Sequence, residues 1–337
     1  MIKISGKALI AACAALLWAA PGLAQQKVIE TSLTLPTTSL TLTAAYVAED
    51  AGIWEKEGLK VSTRVITGVG AMNAVIAGSV DFTMSTGSTF ARAAVRGQRL
   101  YAIANVVDRP LVELVLRKDV AEAAGIRPDM SVAEKAKALR GKTIGIDGVQ
   151  SVIHAFTMLV ARKGGVDPEK DMRVSPMAPS SMPAALANKS VDGYATSLPW
   201  TTMSVENGAA IMLASGPTPD LPEFVPYAYM VVMTRAEVCR DNREACARMG
   251  RSMKAAAAYI RERPDETFAI LKKRFPQMEP TLLNAAFKVV RAATSPDVRV
   301  TAPALDNGQR FNVDAGVLKP EEVLKSYDGL FTDEFVK

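Results

Sequence analysis

The chain has 337 residues, of which 49% are hydrophobic and 22% charged, with a formal net charge of +5. That length holds two ordinary domains and a sizeable core, and the composition excludes the disordered and fibrous classes. The mild charge, with no basic stripe interleaved with aromatics, argues against nucleic acid as a partner.

Lys3 and Lys7 precede an apolar run over 8–20, and Gly22-Leu23-Ala24 places small residues at the cleavage positions. This is the layout of a secretory signal peptide over 1–24, too short to span a bilayer. Cys13 lies inside the apolar run rather than after it, so lipid processing there is not expected. Removal of 1–24 takes away two lysines and no acids, lowering the charge from +5 to +3. No later segment is long and apolar enough for a membrane span. The mature chain, 25 onward, is therefore expected to be soluble and exported.

Residues 28–35 alternate apolar and polar as a half-buried strand does, and Pro36 ends it. Thr37-Thr38-Ser39 is an N-cap cluster for a helix over 41–51. A strand over 60–66, a glycine loop over 67–70 and a helix over 71–77 follow. The strand at 81–84 opens into Ser85-Thr86-Gly87-Ser88, which caps a helix over 89–96 before a strand at 100–107. Strands alternating with helices mean an α/β fold with a largely parallel sheet.

Residues 111–117 read as a strand again. The stretch 119–138 is polar and broken by Gly125 and Pro128, with one short helix over 132–139. A strand at 142–147, the loop Gly148-Val149-Gln150-Ser151 and a helix over 152–163 follow, then a strand at 172–176. Pro179-Ser180-Ser181 caps a helix ending near 187. The segment ALANKSVDGYAT at 185–196 then repeats AVIAGSVDFTMS at 74–85, with four of twelve positions identical. A helix over 200–207 and a strand at 210–214 close the second run, which repeats the element order of the first. A Pro-rich link over 216–226 leads to a strand at 227–234, and helices are expected over 249–261, 264–273 and 279–293. The strands 111–117 and 227–234 bracket the second run and are expected to form the hinge.

Cys239 and Cys246 remain in the mature chain. In an oxidising compartment such a pair is a disulfide rather than a metal site. Seven residues apart on one ideal helix their Cα atoms lie about 10 Å apart, too far to bridge. The bond therefore requires the chain to leave the helix near Asp241-Asn242; the alternative is two free thiols on one helix.

His154 is the one histidine, so transition-metal sites and nucleophile–histidine catalysis lack their usual parts. Gly68-x-Gly70 lacks the third glycine of a dinucleotide loop, and no Lys-Ser/Thr follows it as in a phosphate loop. Asp81 and Asp192 stand at strand starts, where turn and capping roles are usual. What recurs is small and hydroxyl residues at strand-to-helix loops. In an open α/β sheet such loops gather beyond the carboxyl ends of the strands, where helix N-termini suit an anion. The candidate ligand contacts are Thr38, Ser39, Gly68, Val69, Ser85, Thr86, Gly87, Gln150, Ser151, Ser180 and Ser197, with Trp200 as an apolar wall.

The run Ala45-Tyr46-Val47-Ala48-Glu49-Asp50-Ala51-Gly52-Ile53-Trp54-Glu55-Lys56-Glu57-Gly58-Leu59 and then Ala77-Gly78-Ser79-Val80-Asp81-Phe82 resemble the substrate-binding proteins of sulfonate, taurine, nitrate and thiamine-precursor importers. So do Leu139-Arg140-Gly141-Lys142-Thr143-Ile144-Gly145 and Val191-Asp192-Gly193. The resemblance implies a two-lobed, type II-like periplasmic-binding-protein fold with the ligand cleft between lobes joined by a two-strand hinge. One lobe comprises 25–113 and 228–337, the other 114–227. It also implies a monomeric periplasmic receptor without a cofactor, which captures a small solute, either an anion of sulfonate or carboxylate type or a neutral molecule held by neutral donors, and delivers it to an ABC permease and its ATPase. The alternative is an exported enzyme or ligand-sensing domain on the same scaffold. The enzyme branch related to the thiamine pyrimidine relies on a cysteine-rich iron motif that this chain lacks.

Overall fold

The structure, a computed structural model, describes residues 27–217 and 221–337. The expected signal peptide lies outside the described residues. In chain order the first run is β1 (Ile29–Leu35), α1 (Thr43–Asp50), α2 (Ile53–Lys56), β2 (Leu59–Val65), α3 (Gly70–Ile76), β3 (Phe82–Ser85), α4 (Gly87–Val95) and β4 (Leu100–Val107). The second is β5 (Val112–Arg117), α5 (Lys118–Ala123), α6 (Val132–Ala136), β6 (Thr143–Ile146), α7 (Val152–Lys163), β7 (Arg173–Pro176), α8 (Met182–Ala187), β8 (Gly193–Ser197), α9 (Trp200–Glu206) and β9 (Ala210–Ser215). The chain then forms β10 (Met230–Arg235), α10 (Ala236–Asp241), α11 (Arg243–Glu262), α12 (Pro264–Arg274), α13 (Pro280–Ala292) and α14 (Ala302–Asp314).

These strands build two five-stranded sheets, ordered β2-β1-β3-β10-β4 and β7-β6-β8-β5-β9. The orders are equivalent: β6 stands for β1, β7 for β2, β8 for β3 and β9 for β4. In each sheet one strand runs antiparallel to both neighbours, β10 in the first and β5 in the second. The repeated Ser-Val-Asp does the same work in both. Asp81 Oδ2 accepts Thr31 Oγ1 at 2.9 Å and Ser32 N at 3.0 Å, tying β3 to β1. Asp192 Oδ2 accepts Thr143 N at 2.9 Å, tying β8 to β6, and its other oxygen faces Arg117 at 3.6 Å.

The two strands read as the hinge lie inside the sheets, and the chain passes between the sheets just before them, at 108–111 and, among the described residues, 221–229. These two passages run side by side: Tyr227 N donates to Asp108 O at 2.9 Å and Tyr229 N to Val107 O at 3.0 Å. A strand with sheet partners on both sides cannot bend as a hinge.

Besides the four-residue α2, read as a turn, α5 and α14 escaped the sequence pattern. α5 starts directly at the end of β5 in a stretch read as polar coil. α14 accommodates Pro303 in its first turn but carries Gly308 in its interior, a residue that disfavours a helix. There Gly308 allows close approach to α4, where an added Cβ would lie 3.1 Å from Ser88 N. Between α10 and α11 the chain leaves helical geometry at Asn242 (φ −140°, ψ 72°), bringing Cys239 and Cys246 to a Cα separation of 5.5 Å and a disulfide.

α11 packs on α1 and β4, and α12 on α1 and α11, while α13 reaches across to α9 and α14 to α7. One continuous buried cluster consequently runs from Leu33 and Tyr46 in the first lobe through Phe275 to Trp200 and Ala195 in the second. The lobes are closed on each other. Leu40 N donates to Leu198 O at 3.0 Å, Trp200 Nε1 donates to Thr38 O at 3.0 Å, and Arg92 donates to Gln150 O.

Candidate functional site

Where the sheets face each other, the loops at the carboxyl ends of their strands enclose a cavity with about 40 Å³ of free space, room for roughly three water-sized groups. From the first lobe come Pro36, Thr37 and Thr41 after β1, Gly68 and Val69 after β2, and Ser85, Thr86 and Thr89 after β3. From the second come Asp147, Ser151, Val152 and Ile153 after β6, and Ser197 at the end of β8; Tyr229 and Met230 complete it from the start of β10.

Local chemistry explains each placement. Gly68 takes φ +66°, which a side chain disfavours, and its N–H donates to Pro36 O at 2.8 Å, folding the loop back over β1. Thr86 caps α4, accepting Thr89 N at 3.2 Å, with the hydroxyls of Ser88 and Thr89 each 2.9 Å away. Ser151 caps α7, accepting His154 N at 3.1 Å, and its own hydroxyl donates to Asp147 Oδ1. Ser197 Oγ and Tyr229 OH are 3.0 Å apart. Ser85 Oγ makes no hydrogen bond among the described residues although Ser85 is buried. The N–H groups of Val152 and Ile153, in the first turn of α7, have no intrahelical partner.

The lining residues include no lysine, arginine or histidine, and one acid, Asp147. Burial pushes the Asp147 carboxyl up to about 6, opposed by the hydrogen bond from Ser151. Burial also drives the Tyr229 phenol far above its ordinary value, so it stays neutral. A carboxylate acts on a unit charge 4 Å away with about 4 kcal/mol at an effective dielectric of 20. Each helix end contributes about 0.3–2 kcal/mol, and Thr86 and Ser151 already satisfy part of that. Once ionised, Asp147 sets the sign of the cavity. Arg92 is buried close by, its guanidinium lowered to about 10 by desolvation, and is turned to the Gln150 carbonyl.

Of the residues singled out in the sequence, Gly68, Val69, Ser85, Thr86, Ser151 and Ser197 line this cavity. The others do not. Thr38 is exposed and offers its carbonyl to Trp200. Ser39 caps the turn at Leu40–Leu42. Gly87 is pressed against Ala228, with its N–H on Ala228 O at 2.7 Å. Gln150, at φ +65°, takes Arg92 on its carbonyl, and Ser180 lies exposed on a 3₁₀ turn. Trp200 is 2% exposed and packs edge-on against Phe275 at 6.3 Å. Its indole N–H ties the second lobe to Thr38 O of the first, and the ring does not line the cavity. Asp147, Thr37, Thr41, Thr89, Val152, Ile153, Tyr229 and Met230 were not anticipated. An acid at the carboxyl end of a strand, next to a glycine loop, was the signal available for Asp147.

Two like α/β lobes closed over a polar cavity at their strand ends define a binding-protein fold. The comparisons agree. A family model described as NMT1/THI5 like matches residues 40–267, and the chain belongs to that family. A Brucella abortus (strain 2308) protein named as a binding protein is 26% identical over 269 residues, 78% of this chain and 76% of that one. A Bordetella bronchiseptica RB50 structure matches with a TM-score of 0.78 at 18% identity, over 91% of this chain and 95% of its own. The alkanesulfonate-binding protein SsuA from Xanthomonas axonopodis pv. citri, solved with MOPS bound, matches at 0.69 and 17%, over 91% and 99%. The desulfurization enzyme DSZB shares the fold at 0.61 and 14%, over 91% and 97%.

Proposed function

We propose that this chain is a periplasmic solute receptor of an ABC importer, acting as a monomer. Its lobes, 25–113 with 228–337 and 114–227, close on a small solute and present it to the permease and its ATPase. The observation that supports this best is the cavity itself, lined by loops from both sheets and flanked by contacts between the lobes. A non-catalytic role fits the wall. Ser151 donates to Asp147, as a nucleophile to a base would, but its oxygen already accepts His154 N as the cap of α7. The expectation of a sulfonate or carboxylate solute meets a wall whose one charged side chain is acidic, and the ligand's polarity is taken up below.

The free hydroxyl of Ser85, the Thr86 cap and Ser197 are the proposed ligand contacts. A thermal-shift screen of small solutes is expected to find one that stabilises the chain by RT ln(1 + [L]/Kd) with no product formed. Combined replacement of Ser85, Thr86 and Ser197 by alanine is expected to weaken that solute by about tenfold or more, one to two net hydrogen bonds. Unchanged affinity would remove the site assignment, and turnover of the bound compound would remove the receptor reading.

A further inference from the structure

Resting on that reading of the cavity, we propose that the solute presents a protonated amine to the Asp147 carboxylate. Asp147 is the single charged side chain among the lining residues. Its Oδ1 accepts one hydrogen bond, from Ser151, and a carboxylate offers about four lone-pair sites over its two oxygens. Three N–H donors of an ammonium need three acceptors, and the hydroxyls of Ser85, Thr86, Ser197 and Tyr229 can accept as well as donate. Val69, Val152, Ile153 and Met230 supply the apolar surface for the carbon part of the solute.

An oxyanion would face this carboxylate with no lining cation to offset it. Arg92 is not among the lining residues, and its guanidinium donates to Gln150 O. Burial already disfavours the ionised form of Asp147 in the empty cavity, so an arriving cation restores the charge it needs and binding is coupled to proton release. The groups around it do not reverse this. Ser151 on its own loop and Thr86 and Ser197 opposite are uncharged. The Tyr229 phenol is held neutral, and Glu113 behind it is pushed towards its neutral form by burial while accepting Thr201 and Ser215 hydroxyls. His154, beside Gln150, is shifted downward by burial and by Arg92 and is neutral above its ordinary range. Affinity for an amine is therefore expected to fall as pH drops below about 6.

The test is calorimetric titration with short primary amines and with the sulfonates and carboxylates of equal chain length, against the purified chain, Asp147→Asn and Asp147→Glu. At least one amine is expected to bind about tenfold or more tighter than its isosteres. Asp147→Asn is expected to erase the preference and Asp147→Glu to keep part of it. A sulfonate or carboxylate binding as tightly as the amine, a preference that survives Asp147→Asn, or no amine binding at all overturns the proposal. The receptor reading is judged separately, by whether any solute raises the melting temperature of the wild-type chain.

Discussion

At Asp147 stability and binding pull in opposite directions. Its folded pKa of about 6 lies above the ordinary 3.8, so between those values the folded chain holds the proton that the unfolded chain has released. Stability from this group is therefore fully present below about pH 3.8 and lost as pH rises through about 6. The ionised form costs about 3 kcal/mol in the ligand-free protein at neutral pH. Asp147→Asn is expected to match the wild type in unfolding free energy near pH 4 and to exceed it by about that amount at pH 7.5, as measured by urea unfolding without ligand. His154 and Glu113 titrate in both proteins and cancel in the difference. Equal effects at both pH values would mean that the carboxyl is not desolvated. Such a cost in the ligand-free protein is what the proposed amine contact at Asp147 requires.

Among the elements, α10 and α11 show how one residue redirects the chain. Asn242 accepts Ala245 N at 3.2 Å and restarts the helix after a single non-helical residue. Cys239 and Cys246 then staple the two helices, and the first-lobe core packs directly on Cys246. A loop this short gives a modest entropic gain, so replacing both cysteines by serine is expected to lower stability by about 2 kcal/mol, read by denaturant unfolding, with the ligand affinity unchanged. A large loss of affinity would show that the staple positions the cavity. The pairing was anticipated from the expected oxidising compartment, and the spacing on one helix, too long to bridge, then required a break near Asn242. The helix α14 was not anticipated, since its Gly308 serves a close approach to α4 that local propensity does not register.

For the whole molecule, closure rests on few polar contacts, of which Trp200 Nε1 to Thr38 O is the clearest. Trp200→Phe keeps an aromatic ring against Phe275 but deletes that donor, removing about 0.5–1.5 kcal/mol from the closed form alone. The closed population is expected to drop and the apparent Kd to rise by up to about tenfold. In small-angle scattering the ligand-free chain is expected to become more extended. A lower melting temperature with unchanged affinity and dimensions would reduce Trp200 to core packing.

The amino-acid sequence by itself determined the alternation of elements, the doubled plan and the equivalence of Asp81 and Asp192, because periodicity, caps and turns are local properties. It also marked most of the strand-end loops. Which loops meet was decided by the tertiary structure. Gly68 and Val69 follow the edge strand β2 yet reach the cavity, because Gly68 N is drawn back onto Pro36 O. Ser180, in the equivalent loop after β7, is left on an exposed turn. Trp200 became a fastening because Thr38 and Phe275, both distant in the chain, close over it. Asp147 is desolvated only because loops of both sheets close around it. Burial and the sign of the surrounding charge depend on groups brought together from separate strands, and no local pattern encodes them.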